Sequence, residues 1–140
     1  MTLIIIKFLH YIAIVFSGGV LVGGGVIQSV YTKANEVPNL LVSKILKLLG
    51  FIGLISLIIL WITGILLSNI IYGGFSINSA FTIKIIAAAL LLGSSIFVNL
   101  HIYNSSKKQI PPNTTIMKVF TMSGRGLLVI VLIGAAVAFN

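Results

Sequence analysis

Four long apolar stretches, separated by three short polar connections, make up nearly the whole of this 140-residue chain. They run from about residue 3 to 31, 45 to 72, 80 to 103 and 117 to 139. A helix needs about 20 mostly apolar residues to cross a bilayer, so each stretch predicts one spanning helix. The connections carry helix breakers and polar residues. The first holds Asn35, Glu36 and Pro38, the second Gly73, Gly74, Ser76 and Asn78, and the third reads "NSSKKQIPPNTT". Loops this short make consecutive helices antiparallel neighbours. The expectation is an all-α membrane protein, with residues 1–140 forming one up-down four-helix bundle. The first stretch is too long for a cleaved leader, and its charge is embedded rather than terminal.

Composition sharpens this picture mainly by exclusion. Charged residues are 7% of the chain and hydrophobic ones 59%, whereas soluble domains average about 25% charged residues. There is no cysteine, so disulfides and thiolate metal sites are excluded. Glu36 is the sole acidic residue, against nine Lys and Arg. That rules out carboxylate pairs for acid–base chemistry, carboxylate cages for Ca²⁺ or Mg²⁺, and carboxylate proton relays within the membrane. Three methionines and two distant histidines offer no ladder of soft ligands for copper transport.

The net charge of +8 is spread over loops and helix ends. Anionic lipid headgroups explain it better than nucleic acid does. Lys33, Lys44, Lys47, Lys107, Lys108 and Lys118 fall on one side, and only Lys7 and Lys84 on the other. The excess predicts that the first and third loops are cytoplasmic and both termini non-cytoplasmic. The sequons at Asn104 and Asn113 fall on that same cytoplasmic side and are discounted.

Ionisable residues inside a membrane helix are expensive, so each is a functional candidate. At 1.5 Å rise per residue, His10 lies about 10 Å below the outer boundary, Lys84 about 6–8 Å, Thr63 and Gly64 about 12 Å, and Arg125 about 15 Å. Four helices are thus expected to send polar groups toward one zone in the outer half. Each group also has a plainer reading. Lys7 and Lys84 can snorkel to the headgroups, and His10 can be a hydrogen-bonded core histidine. Arg125 is too deep to snorkel and needs a carbonyl, a hydroxyl, a lipid phosphate, a bound anion or another chain. His101 lies roughly 20 Å deeper than His10, too far to share one haem with it, and reads as an interfacial residue. The face of Gly19 and Gly23, with Gly24 and Gly25, is expected to admit a neighbouring backbone closely or to leave room for a flat macrocycle.

The stretch "IKFLHYIAIVFSGGVLV" resembles the first helix of the copper-resistance D membrane domain and of the related HemJ-type protoporphyrinogen oxidases. "WITGILL" is similar to the Thr-Gly step of that superfamily, and "FTIKIIAAALLL" to its lysine-bearing third helix. The resemblance implies a four-helix haem protein in the prokaryotic plasma membrane. It implies b-type haem ligation by His10, with its iron the metal concerned, a role for Lys84 at the same site, and a match of the fourth-helix arginine with Arg125. Two departures stand out. Ser17 replaces the aromatic residue before the glycine pair, and "GRGLLVIV" lacks the Asn-Glu pair that follows the arginine. The missing acid weighs against oxidase activity more than against haem binding.

Two functions follow as expectations. In the first, the bundle holds haem b or another porphyrin in its outer half, for electron transfer or porphyrin oxidation. His10 is then an axial ligand, Lys84 the opposite ligand or a hydrogen-bonding group, Thr63 part of the site, and Arg125 or Lys7 the partner of the propionates. In the second, the chain is a non-catalytic subunit of a larger membrane complex, or a homo-oligomer, surrounded by lipid. Enzymatic activity is left open between them.

Overall fold

The computed structural model describes residues 1–74, 79–108, 110 and 112–138. Among these are four helices, α1 (Thr2–Ala34), α2 (Leu40–Tyr72), α3 (Ser79–Lys107) and α4 (Thr114–Ala138). All four are long and apolar enough to cross a membrane. The chain is an all-α integral membrane protein built as a four-helix bundle. Ser76, Asn78 and Phe139, which the sequence reading placed in the second turn and at the end of the fourth helix, lie outside the described residues.

The helices run further than the apolar stretches at the lysine-rich end. α1 continues three residues past Tyr31, α2 starts five residues before Ile45, and α3 continues four residues past Tyr103. At 33 residues, α1 and α2 each measure about 50 Å, well beyond the ~30 Å hydrocarbon layer. Hydropathy marks only the part in lipid. The polar continuation keeps its helical hydrogen bonds in the headgroup region, and so Lys33, Lys44, Lys47 and Lys107 sit on helices rather than in loops.

Named residues set four of the helix ends. Asn35 adopts the left-handed conformation (φ 54°) and closes α1, with the Glu36 N–H donating to Tyr31 O at 3.0 Å. Asn39 caps α2, its side chain accepting from the Val42 N–H at 2.9 Å. Gly73, at φ 70°, ends α2 in a conformation that side-chain-bearing residues rarely adopt. Asn113 caps α4 by accepting from the N–H groups of Thr115 and Ile116.

α1 packs most extensively on α2, and α3 on α4. These two hairpins meet mainly through α2 and α3, and least through α1 and α4. The interior is made of small and polar side chains as much as large apolar ones. Ala13, Leu57, Phe81, Ala87 and Leu91 are buried, as are Ser17, Ser56, Thr63 and Ser68. Ser17, Ser56 and Thr63 donate their hydroxyl protons to carbonyls of their own helix, at Ile14, Ile52 and Ile59. That satisfaction is required where no water competes.

Close approach between elements falls on the glycines of "GFIG", "SGRG" and "IGAAVA", which continue the small-residue theme of the sequence, rather than on the glycine run of α1. A Cβ at Gly53 would lie 3.0 Å from Val20, one at Gly124 3.2 Å from Leu21, and one at Gly134 3.2 Å from Lys84. Gly18, Gly19, Gly23 and Gly24 meet nothing within 4 Å. Only Gly25 in that run has a close neighbour, and it is the guanidinium of Arg125 rather than a backbone.

Candidate functional site

His10 and Thr63 face one another across the α1–α2 hairpin, with His10 Nδ1 2.9 Å from Thr63 Oγ1. Thr63 Oγ1 also reaches two carbonyls of its own helix, Ile59 O at 2.7 Å and Leu60 O at 3.2 Å. With its single hydroxyl proton committed to them, its oxygen meets the ring as an acceptor and His10 Nδ1–H donates to it. In the neutral ring this assigns the proton to Nδ1 and leaves a lone pair on Nε2. Nε2 has no hydrogen-bond partner among the described residues. Gly64 supplies the remaining space, since a Cβ there would stand 3.5 Å from His10 Cε1. A histidine held at one nitrogen with the other open is the arrangement found in histidine metal ligands.

His10 lines a cavity of about 110 Å³ to which all four helices contribute. Ile14 and Ser17 continue its wall on α1, Trp61 and Gly64 stand on α2, Phe81, Lys84 and Ala88 on α3, and Leu128 and Ala135 on α4. Lys84 is half-buried, its Nζ 5.4 Å from the centroid of the Phe81 ring one turn earlier. Trp61 fixes the α2–α3 side by donating its indole N–H to Ala88 O at 3.3 Å. Trp61 and Phe81 were not among the candidate residues of the sequence reading. The chain's one tryptophan, two residues before Thr63, was the signal for the first.

A second cavity, of about 140 Å³, continues along the bundle axis toward the lysine-rich end. Ser17, Leu57 and Leu91 line both cavities and form the partition between them. The second carries Gln28, Ser94, Ser95, Asn99 and Thr121, and among the described residues no ionisable side chain lines it. Thr121 joins α4 to α1 through Gln28 at 3.1 Å, and Asn99 donates to Gly50 O on α2 at 3.3 Å.

Three candidate residues therefore come together, namely His10, Thr63 and Lys84. Arg125 is placed elsewhere. Its side chain runs back toward the start of α4, as helical side chains do, and its guanidinium lies on Gly25. Gly25 is 15 residues from His10 along α1, about 22 Å at helical rise. Its Nε is buried without a hydrogen-bond partner. Lys7 is exposed and does not line the cavity. His101 holds the third loop instead, its Nε2 accepting from the Asn113 N–H at 3.2 Å while its ring stacks on Phe97.

The fit of a haem can be judged from the donors and from the space. Among the described residues no group of three or more His, Cys, Asp or Glu could hold a bare metal ion. A porphyrin brings four nitrogens of its own and asks the protein for only one or two axial ligands, so one oriented histidine suits it. Space is tighter. A cavity of about 110 Å³ is smaller than the roughly 300–1,000 Å³ of pockets for sizeable ligands. The cavity as it stands does not accommodate a haem, which would require the seam between the two hairpins, where packing is sparsest, to open. No family model, curated protein or solved structure matches this chain.

Proposed function

We propose that this protein binds a b-type haem on His10, between its two helical hairpins, and serves membrane electron transfer or porphyrin oxidation. The observation that carries the reading is the His10–Thr63 pair. Thr63 commits its own proton to carbonyls of its own helix and so holds the imidazole with Nε2 open beside the cavity. A bound haem would supply one-electron exchange at its iron. The chain's part would be to bind and orient: His10 would hold the group through its open nitrogen, Thr63 would fix the ring, and Trp61, Phe81 and Leu128 would keep water out. Lys84, on the same cavity, is the second polar group at that level, and Lys7 lies one turn nearer the same end. Arg125, about 22 Å away along α1, is left out of the propionate site as the helices stand. The lysine excess at the opposite end supports non-cytoplasmic termini in a prokaryotic plasma membrane.

The test is a reduced-minus-oxidised absorption spectrum of the detergent-purified protein after haem supplementation. The parent should give a b-type band, His10→Ala should lose it, and Lys84→Ala should shift or weaken it. A colourless parent ends the haem reading.

One observation favours a second reading, a non-catalytic subunit of a larger assembly. Gly19 and Gly23 are exposed and leave part of α1 open, with nothing within 4 Å of a Cβ there, and small residues at such spacing admit another membrane helix. Gly19→Leu with Gly23→Leu should then abolish co-purification of a partner while leaving the spectrum unaltered.

A further inference from the structure

The largest cavity of the three described lies on the outer surface of the bundle, in the α2–α3 seam at its lysine-rich end. It measures about 500 Å³ and takes no part in the His10 site. Lys44 and Lys47 stand at one mouth, with Tyr103 on the facing rim. Its wall below them is mainly apolar, formed by Leu48, Phe51 and Leu54 on α2 and by Ile96 and Leu100 on α3, and the Asn99 amide that also lines it donates to Gly50 O and Ser95 O. Polar and apolar parts are ordered by depth. Lys44 is ten residues nearer the helix end than Leu54, about 15 Å, so the cations lie at headgroup depth and the groove descends into the hydrocarbon layer.

We infer that this groove binds one anionic phospholipid of the leaflet at the lysine-rich end, its phosphate at Lys44 and Lys47 and an acyl chain along Phe51, Leu54, Ile96 and Leu100. Several observations select this occupant. Leu48, Phe51 and Leu100 are each more than half exposed, so the wall is open to a chain from the bilayer. Lys47 does not wave freely, because its Nζ donates to Ser106 Oγ at 3.1 Å. That bond sets the ammonium over the groove and brings the end of α3, with Lys107 and Lys108, to the same level. The nearest acidic residue in sequence, and the chain's sole one, is the exposed Glu36 in the first loop. A soluble phosphate would leave the apolar wall unused, and an acidic helix would have to place its charges at the mouth alone. A molecule with one anionic head and a long apolar tail uses both parts, as basic pockets between membrane helices do for acidic lipids. The site is independent of any cofactor at His10.

The experiment is native mass spectrometry of the full-length protein, released from mixed micelles holding equal amounts of phosphatidylglycerol and phosphatidylcholine. The parent should retain a single phosphatidylglycerol in at least about fivefold preference over phosphatidylcholine, given the attraction per basic residue near a membrane surface. Lys44→Gln with Lys47→Gln should bring the ratio near one. Leu100→Trp fills the groove without altering charge and should remove the bound lipid of either kind. Lys118→Gln, on α4 at the same end but off the groove, should leave the ratio as in the parent. All four are surface substitutions, and each is scored only as a monodisperse sample. The inference is overturned if the parent shows no preference, or if the double variant keeps it. It fails equally if Leu100→Trp retains phosphatidylglycerol, because the lysines would then gather lipid diffusely, or if Lys118→Gln loses the preference as fully as the double variant does.

Discussion

The two internal cavities share all four helices, similar volumes and a common partition, yet they are lined by different chemistry. The one near the histidine holds His10 and Lys84 and is otherwise aromatic and aliphatic, about 110 Å³ in all. The one toward the lysine-rich end, about 140 Å³, has among the described residues no ionisable side chain and is lined instead by hydroxyls and amides. Thr121 and Ser94 donate to carbonyls of their own helices, and Asn99 ties α3 to α2. These are the interactions of a structure that must satisfy every polar atom in the absence of water. In the first cavity Thr63 satisfies its own helix and, in doing so, leaves a histidine nitrogen unspent. The contrast is one of chemistry: the hydroxyls and amide named in the second cavity donate to carbonyls, whereas in the first a histidine nitrogen is left over, and the proposed site rests on that nitrogen.

The comparison breaks most severely at Gly25, which lines the second cavity beneath the Arg125 guanidinium. Gly25→Leu drives a side chain into the place of that guanidinium and pushes a cation toward lipid. Overfilling a closely packed site costs about 1–3 kcal/mol, and because a buried guanidinium is displaced with it we expect the upper end, about 3 kcal/mol, in a detergent-unfolding titration. Gly18→Leu, where nothing lies within 4 Å, should stay within about 0.5 kcal/mol of the parent, as surface changes do. Next is the partition itself. Leu91 is 4% exposed and lines both cavities. Leu91→Ala merges them and should cost about 2–4 kcal/mol, the range for truncating a buried leucine, with Leu57→Ala in the same range.

Smaller effects separate the two chambers. Thr63→Val should cost about 0.6–1.7 kcal/mol, the span measured for hydrogen bonds between membrane helices. Most of that cost should vanish in a His10→Ala background, because the lost interaction is the pair itself. Thr121→Val removes the link to Gln28 and should cost about 0.6 kcal/mol, the average for such bonds. Its effect should add to that of Thr63→Val, since the two sites share no partner. A strong coupling between them would mean that the chambers behave as one.

The bundle was readable from the sequence because twenty-residue apolar runs have few alternatives in a membrane. The helix ends were not, because hydropathy stops at the edge of the lipid while Asn35 and Asn39 set the true boundaries through backbone conformation and capping. Depth was readable as well: counting residues put His10, Thr63 and Lys84 at similar levels, and the structure has all three at one end, two of them on one cavity and the third hydrogen-bonded to His10. Lateral direction was not. With apolar residues on every face, periodicity no longer tells an inner face from an outer one. Nothing in the pattern says that Gly25 meets Arg125 while Gly19 and Gly23 meet nothing. Arg125 sits midway along α4, but its long side chain carries the charge more than a turn away, toward the other end and onto Gly25.

The pairing of Arg125 with Gly25 also bears on how the protein is made. Helices enter the bilayer before they associate, and α4 is the last to be synthesised. Its arginine weighs against insertion by about 2.5–3.5 kcal/mol while it faces lipid. The shelter for it is a bare patch of backbone on α1, the first helix made and one that touches α4 far less than α3 does. The ring of helices therefore closes over its buried guanidinium, between the oldest segment and the newest. Membrane insertion of α4 should consequently be inefficient in a chain that lacks α1, even though α3 is present to pair with it.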